Sequence, residues 1–131
     1  MFLLDTNICI YIIKKKPIQV LETFASFEYG SLRISSITVA ELEYGVAKSI
    51  IPEKNRMALN KFLTPFEIID FNSSHAVIYG EIRAYLERKG QIIGPHDLQI
   101  GAQALGNQLT LVTNNEREFN RIPGLAVANW V

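Results

Sequence analysis

The sequence predicts an α/β fold, a three-layer α/β/α sandwich around a central, mainly parallel sheet. Short apolar runs recur along the chain, separated by one or two stretches of helical periodicity, which is the pattern of parallel strands joined by crossover helices. The runs starting at Phe2, Leu32 and Leu109 each stop at polar residues that open a helix. With 131 residues, 48% apolar and 20% charged, the chain fits one domain over 1–131 with a buried core.

Phe2-Leu-Leu4 reads as a buried strand that ends at Asp5-Thr6-Asn7. Ile8, Ile12 and Ile13 follow at helical spacing, and Lys14-Lys15-Lys16-Pro17 closes that helix with positive charge. A second amphipathic stretch runs from Ile18 to Tyr29, closed by Gly30. The run from Leu32 to Ser35 is the second strand, and the stretches from Thr38 to Ser49 and from Pro52 to Leu63 are helices. Pro65 to Ile69 gives a third strand ending at Asp70. Ser73 to Lys89 is the longest helical pattern, with Val77, Ile78, Ile82 and Leu86 on one stripe and Gly90 beyond it. Gly94-Pro95 opens a helix whose Ile100, Ala104 and Leu105 face inward. Leu109 to Val112 is the clearest strand, and Gly124 to Trp130 adds a short last one.

Composition excludes several classes of function. Thirteen Lys and Arg balance thirteen Asp and Glu, so no net positive charge announces a nucleic-acid partner, and local placement of charge decides more than the sum. The single cysteine, Cys9, cannot form an internal disulfide and fits a reducing cytoplasm. No apolar stretch approaches the roughly 18 residues that a membrane span needs. There is no phosphate-cradling glycine loop and no G-x-S-x-G elbow, and one Cys with two His residues makes a poor zinc site.

Four acids remain in similar settings. Asp5 follows the first strand; Glu41 lies three residues after Thr38, in the first turn of the next helix; Asp97 lies three after Gly94; Glu118 lies three after Asn115. Each has a plain explanation as a helix cap, and Thr38-Val-Ala-Glu41 and Asn115-Glu-Arg-Glu118 match capping boxes. Topology argues for more, because ligand sites of open parallel sheets form along the carboxyl ends of the strands. Asp5, Glu41 and Glu118 belong on that edge, and Asp97 joins them if residues 90–94 return the chain there. At about 5 Å and an effective dielectric of 20, each like-charge pair costs about 3 kcal/mol. Such a cluster persists by holding protons or a cation, and oxygen ligands without Cys or His favour Mg²⁺ or Mn²⁺.

Leu3-Leu-Asp5-Thr-Asn7, Ile37-Thr-Val-Ala-Glu41-Leu-Glu-Tyr-Gly45, Ile93-Gly-Pro-His-Asp97 and Val112-Thr-Asn-Asn-Glu-Arg-Glu118-Phe119 together resemble the PIN-domain ribonucleases. More narrowly, the chain resembles VapC-type toxins of bacterial type II toxin–antitoxin pairs, over essentially its whole length. The resemblance implies Mg²⁺-dependent cleavage of RNA, with Asp5 and Asp97 as direct ligands and Glu41 completing a triad. Asn115 stands where many members carry an aspartate; an amide can orient a water or phosphate but adds no charge, and Glu118 is the nearby acid that can substitute. The Gly-Pro-x-Asp and Thr-Asn-Asn-x-x-Glu-Phe patterns look most like members that cut initiator tRNA in its anticodon loop. A VapB-type antitoxin is the implied partner, and a symmetric homodimer the expected oligomer.

Supporting residues follow. Thr6, Asn7 and Thr113 flank the acids, as backbone caps or as groups that hold a carboxylate or water. Lys14 and Arg83 are candidate phosphate contacts, against the plainer reading of solvated helix charges. His96 reads first as a surface residue at a helix start, with general acid as the alternative. His75 reads as a surface helix residue, Cys9 as a small buried hydrophobe, and Trp130, Phe119, Tyr79 and Tyr85 as packing residues. Ile10, Tyr11, Ile13 and the region from Val46 to Ile51 carry apolar surface that an antitoxin segment or a second copy could cover. An aspartyl phosphatase would want an acid at Asn7. A receiver module, with Asp70 as phosphoacceptor, would want paired acids after the first strand. The remaining alternative is a non-catalytic RNA- or partner-binding module whose acids are caps.

Overall fold

The computed structural model describes Met1–Val131. In chain order the elements are β1 (Phe2–Leu4), α1 (Thr6–Lys14), α2 (Ile18–Ala25), β2 (Leu32–Ser35), α3 (Ser36–Ala47), α4 (Pro52–Leu63), β3 (Glu67–Ile69), α5 (Ser73–Arg88), α6 (Pro95–Gly106), β4 (Thr110–Val112), α7 (Glu116–Phe119) and β5 (Val127–Ala128). The five strands form one all-parallel sheet in the order β3-β2-β1-β4-β5. The order reverses at β1, with β2 and β3 on one side and β4 and β5 on the other. Doubly wound sheets open a crevice at such a point, outside the strands' carboxyl ends.

Side-chain alternation along β1 builds the two helical layers. Leu4 packs with Ile8, Cys9, Ile12, Val20, Leu42 and Leu59, the core beneath α1 to α4. Leu3 points the other way, into Ile82, Leu86, Leu98, Ile100 and Phe119 from α5, α6 and α7. This is the three-layer sandwich expected from the sequence. Cys9, Phe119 and Trp130 are buried in it, as read.

Several boundaries differ from the reading. α2 stops at Ala25, because Ser26 Oγ turns back to the Thr23 carbonyl at 2.6 Å, and Tyr29–Ser31 forms a 3-10 turn instead. α3 starts earlier than Thr38, with Ser35 as its cap accepting from the Ile37 N–H at 2.9 Å. Thr38 is therefore inside the helix, no Thr38–Glu41 capping box forms, and Glu41 sits in the second turn. β3 begins only at Glu67, as Pro65 has no N–H to give a sheet.

On α5 the buried stripe is His75, Ile82 and Leu86, with Ile78 half-buried, while Val77 is exposed. His75 is thus no surface residue. It forms a reciprocal capping box with Asn72, its Nδ1 accepting from the Asn72 N–H and its own N–H donating to Asn72 Oδ1, both at 3.1 Å.

Gly90, at φ +67°, lets the chain leave α5 and turn back, so that α6 packs antiparallel to it. One polar side chain sits inside this packing. Gln103 of α6 is fully buried; its Oε1 accepts from Ser35 Oγ at the end of β2, and its Nε2 donates to the Ile69 carbonyl at the end of β3, at 2.9 Å.

Candidate active site

Asp5 leaves β1 with extended backbone and caps α1, where Oδ1 accepts from the Thr6 N–H at 2.8 Å. Its other oxygen, Oδ2, accepts from Thr113 Oγ1 at 2.7 Å, just past the end of neighbouring β4. The side chain is buried, and burial pushes its pKa above the ordinary carboxylate value; the Thr113 and Thr6 bonds pull the other way, and the Glu41 charge adds to the rise. Capping uses one oxygen of Asp5, so the capping reading is true of this residue and incomplete.

Thr6 ties the next acid in. Its hydroxyl donates to Glu41 Oε1 at 2.8 Å and lies 3.0 Å from the buried Thr38 hydroxyl. α1 is thereby joined to α3 at the mouth of the crevice. His96 is exposed, with Nδ1 3.8 Å from Glu41 Oε2, too far for a hydrogen bond.

Asp97 enters from the first turn of α6 and is half-buried. Its pKa is raised to about 6, first by burial and then by the charges of Asp5, Glu118 and Glu41, against a lowering from His96. Residues 90–94 do return the chain to the carboxyl edge, so acids distant in sequence share one electrostatic neighbourhood. Glu118 comes from α7, where Oε2 accepts from Asn115 Nδ2 at 3.0 Å. Asn115 makes no side-chain cap, so the second capping box is absent as well; its N–H instead donates to Thr113 Oγ1 at 2.9 Å.

The donor set is chemically suited to a hard divalent ion: four carboxylates, one of them driven towards neutrality by burial and then by the charges of the other three. As the side chains stand, no three converge tightly enough to enclose an ion unaided. Magnesium does not require that, since it keeps several waters and takes one or two carboxylates directly.

Asn7 is exposed, and with Lys14 it lines a groove of about 970 Å³ between α1, α3 and α4 that is also lined by Thr6, Glu41 and His96 and by the apolar Ile10, Ile13 and Leu59. Arg83 is on the exposed face of α5, its guanidinium engaged by Tyr79 Oη at 3.1 Å and Glu87 at 3.2 Å. Asp70, the phosphoacceptor of the rival reading, lies in a separate hollow with Arg33, Asn72 and Asn107. The sequence reading passed over Ser35, Thr38 as the partner of Thr6, and Gln103. The available signal was a glutamine beside Ile100 and Ala104, inside a stretch that is otherwise apolar and small.

Residues 2–125 match the PIN domain family. Ribonuclease VapC2 of Haemophilus influenzae is 45% identical over 130 residues, covering 99% of this chain and 98% of that protein. The tRNA(fMet)-specific endonuclease VapC of Salmonella typhimurium is 44% identical over 129 residues, covering 98% and 97%. The crystal structure of DNA-bound VapBC from Salmonella typhimurium superposes with a TM-score of 0.93 at 44% identity, over 99% of this chain and 98% of that one.

Proposed function

The chain belongs to the PIN-domain family, and from that premise we propose that it is a VapC-type endoribonuclease toxin which cuts tRNA with Mg²⁺ at the acidic crevice. PIN-domain ribonucleases are generally metal-dependent; the assignment to Mg²⁺, with Mn²⁺ able to replace it, rests on the all-oxygen donor set. The observation that carries the reading is that Asp5 after β1, Glu41 on α3, Asp97 at the start of α6 and Glu118 on α7 are brought to one carboxyl edge, where burial and then the other three charges raise the Asp97 pKa. Stored repulsion of that kind is relieved by a cation.

Asp5 and Asp97 would hold the ion, with Glu41 and Glu118 flanking it. When bound, it supplies an oriented, acidified water and neutralises charge on the phosphate. The chain's own residues prepare that site. Thr113 and the Thr6 N–H fix both oxygens of Asp5; the Thr6 hydroxyl fixes Glu41; Asn115 fixes Glu118 while adding no charge. Initiator tRNA is the substrate supported by the tRNA(fMet)-specific relative. Lys14, on the groove rim, is placed for a phosphate contact, whereas Arg83 is already engaged.

The apolar groove beside Glu41 is the place for a VapB-type antitoxin segment, in line with the VapBC complexes among the structural relatives. No helix is long and apolar enough to cross a membrane, and the unpaired Cys9 agrees with action in the cytoplasm.

Incubating the purified, antitoxin-free protein with total tRNA, with and without EDTA and beside Asp5→Asn, tests this. Cleavage abolished by chelator and by the substitution is the expected result. Cleavage indifferent to both would end the nuclease reading, and binding without cleavage in Mg²⁺ would make the protein a binding module.

A further inference from the structure

We propose that Gln103 is a positioning residue for the acidic site: by clasping the ends of β2 and β3 it sets the placement of α6 and therefore of Asp97. The inference rests on the metal-site reading above and deepens it.

The four acids are not held alike. Asp5, Glu41 and Glu118 each accept a hydrogen bond from a side chain, of Thr113, Thr6 and Asn115 respectively. The Asp97 carboxylate accepts none, so its position is that of the helix that carries it. α6 is packed through Leu98 and Ile100 in the core and against α5, but those apolar contacts are non-directional and do not refer the helix to one fixed point of the sheet.

Gln103 supplies the missing direction. Its Oε1 accepts from Ser35 Oγ and its Nε2 donates to the Ile69 carbonyl, residues that are register partners on adjacent strands. Both ends of one amide are thus committed to fixed points of the sheet. Ser35 also caps α3, the helix that carries Glu41, so the clasp refers Asp97 and Glu41 to the same origin. Sliding α6 would leave a buried amide without partners and the buried Ser35 hydroxyl with its proton unpaired, a penalty that packing alone would not impose.

The test is Mn²⁺ binding to the full-length, metal-free protein, followed by electron paramagnetic resonance, with tRNA cleavage measured in parallel. Gln103→Met keeps the length of the side chain and removes both bonds. The expected result is about tenfold weaker Mn²⁺ binding, the loss typical of groups that orient metal ligands, with kcat reduced, KM for RNA unchanged, and activity partly recovered at high Mn²⁺. Val20→Ala, in the core beneath α2, is the control for lost stability alone and should bind Mn²⁺ as the wild type does. Gln103→Leu, which also removes both bonds and leaves the Ser35 cap of α3 in place, reads the same quantity if Gln103→Met does not hold its fold. Wild-type Mn²⁺ affinity in a folded Gln103→Met, or an equal loss in Val20→Ala, would overturn the proposal. Unchanged affinity in Asp97→Asn would instead overturn the metal-site reading beneath it.

Discussion

Thr113 Oγ1 donates to Asp5 Oδ2 at 2.7 Å, joining the residues that follow β4 and β1 at the point where the strand order reverses. Both side chains are buried, so the bond fixes a carboxylate that water cannot otherwise orient. Thr113→Val keeps the shape and removes the donor. It should lower kcat by about 10- to 100-fold and destabilise the fold by about 1–3 kcal/mol, the cost of an unsatisfied buried group. Steady-state cleavage and chemical denaturation measure the two effects, and an unchanged kcat would remove Asp5 orientation from the mechanism.

Asp97→Asn should separate activity from stability. Losing a ligand charge should cut cleavage by more than about 100-fold, beyond the effect of groups that only orient a ligand. The metal-free fold should become more stable at pH 7, since a carboxylate held up to about 6 is unfavourable when ionised. Because the side chain is part-exposed the gain is discounted to about 1 kcal/mol, or about 4 °C in Tm. Lost helicity by circular dichroism would assign Asp97 to structure instead.

The same shift sets a pH dependence. The Asp97 pKa rises from 3.8 to about 6, so between those values the folded chain holds a proton that the unfolded chain has released. Its contribution to metal-free stability is therefore complete below about pH 4 and is lost as pH rises through about 6. Activity runs in the opposite sense: cleavage should fall as pH drops below about 6, and because the cation competes with the proton, the acid limb should move lower as Mg²⁺ increases. Rates between pH 5 and 8 at two Mg²⁺ concentrations decide it; a limb insensitive to Mg²⁺ would mean another group titrates.

Much of this was legible in the sequence, for identifiable reasons. Strand and helix alternation is a periodicity signal, so Phe2–Leu4, Leu32–Ser35 and the acids that follow them could be placed on one edge before any coordinates. Tertiary competition for hydrogen bonds was not legible. Thr38 has the pattern of a cap, but Ser35 reaches the backbone first and Thr38 turns to Thr6. His75 resembles a surface residue until its capping box with Asn72 is seen. Gln103 could not be interpreted locally at all, because both partners lie more than 30 residues away.

The groove offers a prediction independent of chemistry. Ile13 is half-buried in its lining and is neither one of the acids nor a hydrogen-bond partner of one. Ile13→Glu should leave tRNA cleavage near wild type while weakening antitoxin binding by at least about tenfold, since a carboxylate facing an apolar segment is desolvated without a partner. Calorimetry with the antitoxin reports the affinity, and cleavage in its presence reports escape from inhibition. Unaltered affinity would move the antitoxin to another face.

Asn115 and Glu118 divide one role between them, and charge substitution can tell which part each plays. In the structure the amide holds Glu118 Oε2 at 3.0 Å. Glu118→Gln should lower kcat by about tenfold, as it keeps the hydrogen-bonding geometry and removes a charge from the wall of the site. Asn115→Asp replaces a donor with a second carboxylate facing Glu118. Without metal it should destabilise the fold through like-charge repulsion, and with Mn²⁺ it should bind the ion more tightly, because the added repulsion is relieved only by the cation. Thermal melts with and without Mn²⁺ read both effects on one sample: a lower Tm without the ion and a larger rise on adding it. Equal rises in the wild type and Asn115→Asp would place position 115 outside the reach of the metal, leaving Glu118 as the fourth acid.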